Sequence, residues 1–280
     1  MSIKDITVII TSFKSDEKIK NCLNSINRDC RVLVIENSNN ELFKKNIENE
    51  FSNVECILTG SNLGYGKANN IGLKKVKTKY ALILNPDASL YENSLENFFK
   101  VAKQVSDFAI IGPYIQTSKN EFKSSHSTMD EPKSVSNVKG FAMFLNLSEF
   151  TEIGFFDESF FIYFEEIDLC KRLTLNNKKI YLAPQIRIYH EGGKSHDMSI
   201  NKPMELSRNW HWMWSTFYYH KKYKGFLVSF VIIFPKLSSS IFKILFYSFF
   251  NKDKKEIYFQ RYSGLLNAIL GKNSWYRPKV

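Results

Sequence analysis

Short runs of β-branched and aliphatic residues recur over the first part of the chain, at residues 6–11, 32–36, 54–59, 80–85 and 108–111, separated by polar, helix-compatible stretches. Strands alternating with helices predict parallel pairing through right-handed crossovers, hence an α/β fold with a mostly parallel central sheet flanked by helices. Ile19, Leu23 and Ile26 recur at helical spacing, as do Leu95, Phe98, Phe99 and Val101, and more loosely Ile71, Leu73 and Val76. These stripes supply core. Residues 117–139 are polar, rich in Ser and Lys, and read as a mobile loop. Regular patterning resumes at residues 140–145, a helix is expected after Glu165, and residues 186–189 form a strand-like run closed by His190.

The pattern changes after Tyr219. A basic stretch at 220–224 precedes a strongly apolar run at 226–234. At about 1.5 Å per residue, that run alone is too short for a hydrocarbon core of about 30 Å. Beyond Pro235, Lys236, Ser239, Ser240 and Lys243 share one helical face, while Leu237, Ile241, Ile244, Leu245 and Phe249 supply apolar surface. The preferred reading is an amphipathic helix lying on the cytoplasmic face of a membrane; a helix packed on the core and a spanning or re-entrant hairpin are the alternatives. The expected division is a domain over residues 1–223, with halves at about 1–111 and 140–223, and a helical appendage over 224–280.

With 280 residues and 44% hydrophobic content the chain buries a full core. Lys and Arg outnumber Asp and Glu by 39 to 28, a formal charge of +11 that favours anionic partners. No RNP, helix-turn-helix or zinc-finger pattern accompanies it, so nucleic acid is not expected as a partner. Cys22, Cys30, Cys56 and Cys170 form no CxxC pair, which argues against structural zinc and disulfides and for reduced thiols. The N-terminus enters a strand-like run without the features of a secretion signal, and the expected location is cytoplasmic.

Candidate chemistry clusters where strands end. The run Ala81-Leu82-Ile83-Leu84-Asn85-Pro86-Asp87-Ala88 delivers a carboxamide and a carboxylate to a strand's carboxyl end, where open α/β sheets bind ligands. Pro86 sets the turn, and Asp87 is a hard oxygen ligand suited to Mn²⁺ or Mg²⁺ on a diphosphate; an ordinary strand exit is the rival account. Thr11 and Ser12 close the first strand and offer polar groups to a nucleoside, or form a turn. Glu36 and Asn37 close the second, and Glu36 suits a base N–H or a ribose hydroxyl; for the Asn and Ser residues after it, a cap or turn competes. Residues 60–72 lack the spacing of an ATP-phosphate loop, yet Gly64 permits close backbone approach and Asn69 opens a helix whose dipole favours anions; Asn62 precedes that glycine, and a plain glycine turn fits as well.

Residues 154–173 are the densest signal, with Glu165, Glu166 and Asp168 following an aromatic run that also contains Asp157. Carboxylates crowded among apolar rings lose solvation and repel one another, which raises a pKa toward that of a general base. Complementing a helix N-terminus is the simpler alternative. His190 either completes a divalent-metal site or is structural.

In their order these motifs resemble the inverting family 2 glycosyltransferases of the GT-A fold, and among them the rhamnosyltransferase-like enzymes of bacterial surface polysaccharide assembly. The resemblance runs from residue 6 to about 223, through Thr11, Phe13 and Ser15, Asn62-Leu63-Gly64 to Gly72, Asn85-Pro86-Asp87, and Phe156-Asp157 to Arg172. It implies a nucleotide-diphosphate-sugar donor, with Asp87 the metal-bound acid of a DxD-like turn; Asn85 stands where the first acid is usual, so metal binding rests on Asp87 and His190. The family's base lies in a Glu-Asp pair and maps onto Glu166, one methylene longer. Thr11, Ser12, Glu36, Asn37, Asn62, Gly64, Asn69, Asn85 and Asp87 are expected to contact the donor, and Phe141, Asp157 and Glu165 to border the acceptor. The implied reaction moves a sugar, L-rhamnose from dTDP-rhamnose in the favoured case, onto a lipid-linked glycan at the inner membrane face. UDP-sugar-dependent galactofuranosyl, glucosyl or N-acetylhexosaminyl transfer is the near alternative, and a non-catalytic glycan-binding or scaffold protein the distant one.

Overall fold

A computed structural model of the chain describes residues 2–116, 131–192 and 196–279. The loop expected at 117–139 therefore lies, over 117–130, outside the described residues. Contacts divide the chain into two compact units, residues 1–156 with 166–197, and residues 157–165 with 198–280.

The first unit alternates as its pattern predicts: β1 (Ile6–Ser12), α1 (Asp16–Asn24), β2 (Arg31–Glu36), α2 (Glu41–Glu50), β3 (Val54–Leu58), α3 (Tyr65–Lys75), β4 (Tyr80–Leu84), β5 (Ala88–Leu90), α4 (Ser94–Gln104), β6 (Phe108–Gln116), β7 (Lys133–Ser134), β8 (Ala142–Asn146), α5 (Glu165–Leu175) and β9 (Lys179–His190). The strands form one sheet in the order β3-β2-β1-β4-β8-β6-β9-β5, with β7 added on β9. Strands β1 to β4 are mutually parallel, but β8 runs antiparallel between β4 and β6, and β5 antiparallel to β9. The sheet is thus mixed rather than mostly parallel, because β8 enters between β4 and β6 from the opposite direction.

Alternation along β1 explains the layers. Val8 and Ile10 face one cluster with residues of α1, α2 and α4, while Ile9 faces a second with residues of α3 and α5. Phe144 anchors the first cluster, its ring stacked on Tyr80, Phe98 and Phe108 at centroid distances of 5.1, 5.0 and 5.7 Å. Such pairs contribute about 0.5–1.5 kcal/mol each beyond burial. The order 3-2-1-4 reverses direction at β1, so the crevice beyond the carboxyl ends of β1 and β4 is the switch point where this architecture receives ligands.

The second unit holds α6 (Asn201–Phe250) and α7 (Lys252–Ile269). Trp210, Met213, Trp214, Phe217 and Ile233 of α6 form a core with Leu265 and Ala268 of α7. The helices approach closely at Gly264, where a Cβ would lie 2.2 Å from the Trp210 carbonyl oxygen. Residues 157–165 pack on α6: Phe161 stacks on His211 at 4.4 Å, and Ser215 Oγ donates to the Ile162 carbonyl at 3.1 Å.

Helix α6 breaks at Gly225, whose φ of 77° and ψ of 171° are non-helical, and resumes for residues 226–250. The apolar run does not stop at Pro235, which the helix carries inside it. At about 1.5 Å per residue this stretch exceeds a ~30 Å hydrocarbon core, so the length argument against spanning fails. Among the described residues one helix, Met198–Phe250, is long and apolar enough by length and composition to cross a membrane. Leu227, Val231, Phe242, Leu245, Phe249 and Phe250 are exposed on it. The hydroxyls of Ser229, Ser240 and Ser248 donate to carbonyls one turn back, at 2.6, 2.8 and 2.7 Å, and so need no water.

Candidate active site

Pairing register gathers the polar residues at the switch point. Ser12 lies opposite Glu36 in the β1–β2 pair, and Ile10 opposite Leu84 in the β1–β4 pair, so Thr11 and Asn85 follow side by side. The Asn85 N–H donates to the Phe141 carbonyl at 2.8 Å, and the Ala88–His190 pairing of β5 with β9 brings His190 beside Asp87. His190 Nε2 lies 3.3 Å from Asp87 Oδ1 and 3.5 Å from Asn85 Nδ2, and Phe141 stacks on the imidazole at 4.7 Å.

Asp87 is 6% exposed and neither of its carboxylate oxygens has a hydrogen-bond partner; Asn85 Oδ1, Thr11 Oγ1 and Ser12 Oγ are buried and unpartnered as well. Buried carboxylate oxygens without donors are costly unless something else binds them. The donor set of one carboxylate, one imidazole and one amide oxygen suits Mn²⁺ or Mg²⁺, which complete their shells with phosphate oxygens and water. Among the described residues no three His, Cys, Asp or Glu converge on a point, so the chain supplies part of a shell and the ligand must supply the rest.

Glu166 connects to this group through Gly140. A Cβ at Gly140 would lie 3.4 Å from Glu166 Cβ, and residue 140 directly precedes Phe141. Burial pushes the Glu166 carboxyl above its ordinary value of 4.5, against a smaller opposing pull from the N–H groups of Glu166 and Ile167 at the start of α5. Tyr163 and Phe164, just before α5, both hold positive φ (70° and 71°), a strained entry supported by Trp212 packed against both rings.

The remaining donor-side candidates build the loops. Glu36 accepts from the N–H groups of Ser38 and Asn40, both at 2.8 Å, and from the Ser38 hydroxyl. Asn37 Nδ2 donates to the Gly64 carbonyl at 3.2 Å, and its Oδ1 accepts from Thr59 and Leu63. Asn62 Oδ1 accepts the Gly64 N–H, and Asn69 Nδ2 donates to the Tyr65 carbonyl. On the acceptor side, Asp157 and Glu165 belong to the second unit. Burial pushes the Asp157 carboxyl up, but Lys222 Nζ at 2.7 Å and the Ser159 N–H hold it below the ordinary range. Its charge is committed to Lys222.

Several contributors were not singled out in the sequence. Tyr65 donates its hydroxyl to the Gly140 carbonyl, tying the start of α3 to the residue behind Glu166. Asn70 bonds reciprocally with the Phe156 backbone at 2.9 and 3.0 Å. Arg172 Nε donates to buried Asp168 at 2.8 Å while its Nη1 caps the Ile153 carbonyl at 2.9 Å. The i,i+4 spacing of Asp168 and Arg172 was the one available signal.

Residues 7–170 match the model of the family described as glycosyl transferase family 2. The chain is similar to the low-salt glycan biosynthesis hexosyltransferase Agl10 of Haloferax volcanii, 27% identical over 226 residues, covering 73% of this chain and 69% of that one. It is also similar to the rhamnosyltransferase WbbL of Escherichia coli K12, 25% identical over 65% of this chain and 82% of that one. Among solved structures, the mannosyltransferase PcManGT of Pyrobaculum calidifontis, in complex with GDP-Man and Mn²⁺, superimposes with a TM-score of 0.60 at 9% identity, covering 96% of this chain and 88% of that one. With its mixed sheet, its switch-point carboxylate and the family match over more than half its length, the chain belongs to glycosyl transferase family 2 and has the GT-A fold.

Proposed function

We propose that this glycosyltransferase is inverting and metal-dependent, with Glu166 as its base. The observation that carries the reading is the buried, unpartnered carboxylate of Asp87 beside His190, with the desolvated Glu166 packed behind Gly140. A carboxyl raised by burial is better matched to taking a hydroxyl proton near neutral pH. In this reading Glu166 accepts the proton of the acceptor hydroxyl as its oxygen bonds to the anomeric carbon. The bond from that carbon to the nucleoside diphosphate breaks on the opposite face, inverting the configuration. Asp87, His190 and Asn85 would hold Mn²⁺ or Mg²⁺, which supplies positive charge to the departing diphosphate. Thr11, Ser12 and the loops ordered by Glu36, Asn37 and Asn62 form the donor surface, with Gly64 and Asn69 at the start of α3; Phe141, Asp157 and Glu165 border the acceptor.

For the donor we favour dTDP-rhamnose, supported by the relative named as a rhamnosyltransferase; the hexosyltransferase relative keeps a UDP-sugar donor as the second reading. The acceptor class is a lipid-linked glycan, and the exposed apolar half of α6 supports work at the cytoplasmic membrane surface. Thermal stabilisation by a panel of dTDP-, UDP- and GDP-sugars, each with Mn²⁺, Mg²⁺ or chelator, tests the reading. Selective, metal-dependent stabilisation by dTDP-rhamnose is expected; a UDP-sugar preference moves the substrate, and no response to any donor favours a non-catalytic glycan-binding role.

A further inference from the structure

The formal charge of +11 is not spread along the chain. Residues 1–197 balance, and the whole excess falls within residues 198–280. In the same unit lies a cleft of about 450 Å³ whose walls include Trp214, Tyr218 and Lys221 of α6, Lys272 and Arg277 beyond α7, and Glu158.

The cleft is built from fixed parts. Trp214 stacks on Tyr218 with centroids 4.9 Å apart, and its Nε1 donates to the Lys272 carbonyl at 3.0 Å, which holds the chain after α7 against α6. Ser274 Oγ meets His211 Nδ1 at 3.0 Å, and the Arg277 guanidinium lies 3.9 Å over the Phe161 ring. Lys222 is matched by Asp157 at 2.7 Å, whereas the adjacent Lys221 faces the cleft. Three cations against one carboxylate select an anion, and Lys and Arg donors suit phosphate oxygens.

What lies beside the cations narrows the anion. One helical turn after Lys221 comes the break at Gly225, and from there α6 exposes Phe226, Leu227, Val228 and Val231. A ligand meeting both surfaces is an amphiphile with an anionic head. We infer that this cleft binds the phosphate or diphosphate group of a lipid whose hydrocarbon meets the apolar half of α6. The inference deepens the lipid-acceptor reading and rests on it for the ligand's class.

The test uses the full chain and its Lys221→Gln/Lys272→Gln variant, with two readouts. Titration with geranyl diphosphate in solution probes the cleft without a membrane. Flotation with vesicles of phosphatidylcholine alone, or containing phosphatidylglycerol or undecaprenyl phosphate, probes lipid. We expect the variant to bind geranyl diphosphate at least tenfold more weakly and to lose the gain that anionic vesicles give the wild type, with unchanged stabilisation by nucleotide-sugar as the control for folding. A gain confined to undecaprenyl phosphate identifies the acceptor lipid as the source; an equal gain from phosphatidylglycerol identifies bulk headgroups, and both support the site. Variant-sensitive binding of geranyl diphosphate without flotation keeps the site and removes the membrane reading. Equal behaviour of the two proteins in both assays, or no binding of geranyl diphosphate by the wild type, overturns the proposal.

Discussion

His190 Nε2 sits 3.3 Å from Asp87 Oδ1, yet neither Asp87 oxygen accepts a hydrogen bond. The β5–β9 register makes this pairing, since Ala88 lies opposite His190 and Asp87 is the residue before it. A buried carboxylate with so little compensation is costly in the free protein and gains most from a cation.

Asp87→Asn is therefore expected to weaken binding of the donor nucleotide with Mn²⁺ by at least about tenfold, or ~1.4 kcal/mol, and to leave the chelated state little changed. Calorimetry with and without chelator, together with Mn²⁺ paramagnetic resonance, reads the two effects separately. Equal affinities for wild type and variant in Mn²⁺ would remove Asp87 from the metal site.

Glu166→Gln is expected to lower turnover by roughly 10²–10⁴-fold with donor binding retained. The same variant carries a stability signature. Because burial raises the Glu166 pKa above 4.5, the folded state holds this proton better than the unfolded state. Its contribution to stability is thus full below pH 4.5 and falls as pH rises through the folded value. Glu166→Gln should be the more stable protein at pH 7, with the advantage vanishing near pH 4; denaturant midpoints at the two pH values decide it.

Arg172→Ala removes the partner of an Asp168 carboxylate that is fully buried, and the donor capping the Ile153 carbonyl. A loss of about 3–5 kcal/mol is expected. Arg172→Lys keeps the charge without the planar fork and should fall between. Urea midpoints at constant slope measure both; a change under ~1 kcal/mol for the alanine variant would refute the clamp.

His211 is buried with its Nε2 donating to the Tyr276 carbonyl at 2.8 Å, and burial pushes its pKa down from 6.5 to about 3. The unfolded chain binds the proton first, so stability is full above pH 6.5 and is lost as pH falls toward 3, by up to about 1.4 kcal/mol per pH unit. His211→Gln should flatten this dependence between pH 7 and 5, as followed by denaturation of the second unit through its tryptophans.

The strands of the first unit were legible because a buried strand needs a compact apolar run, and residues 6–11, 32–36 and 80–85 are such runs. The direction of β8 was not, since Ala142–Asn146 reads the same whether paired parallel or antiparallel. Lys179–Gln185 escaped notice because only every third residue there is buried, which blurs the period-two signal. At the site, Asp87 and Glu166 were visible as polar groups breaking apolar runs. The loop-building work of Glu36 and Asn37 was hidden, because their partners are backbone groups that carry no side-chain identity. The basic excess looked dispersed until the division at residue 198 showed where it ends.

At Gly225 no heavy atom lies within 4 Å of where a Cβ would stand, so the position has room for a side chain and lacks only the right handedness for one. Its φ of 77° and ψ of 171° are the mirror image of an extended conformation that any L-residue adopts. A D-alanine introduced there by semisynthesis would preserve the break in α6 and restrict the unfolded chain, whereas L-alanine would drive residues 224–226 toward a continuous helix. The turn between the cationic and apolar stretches of this helix is thus set by chirality at one α-carbon, not by packing around it.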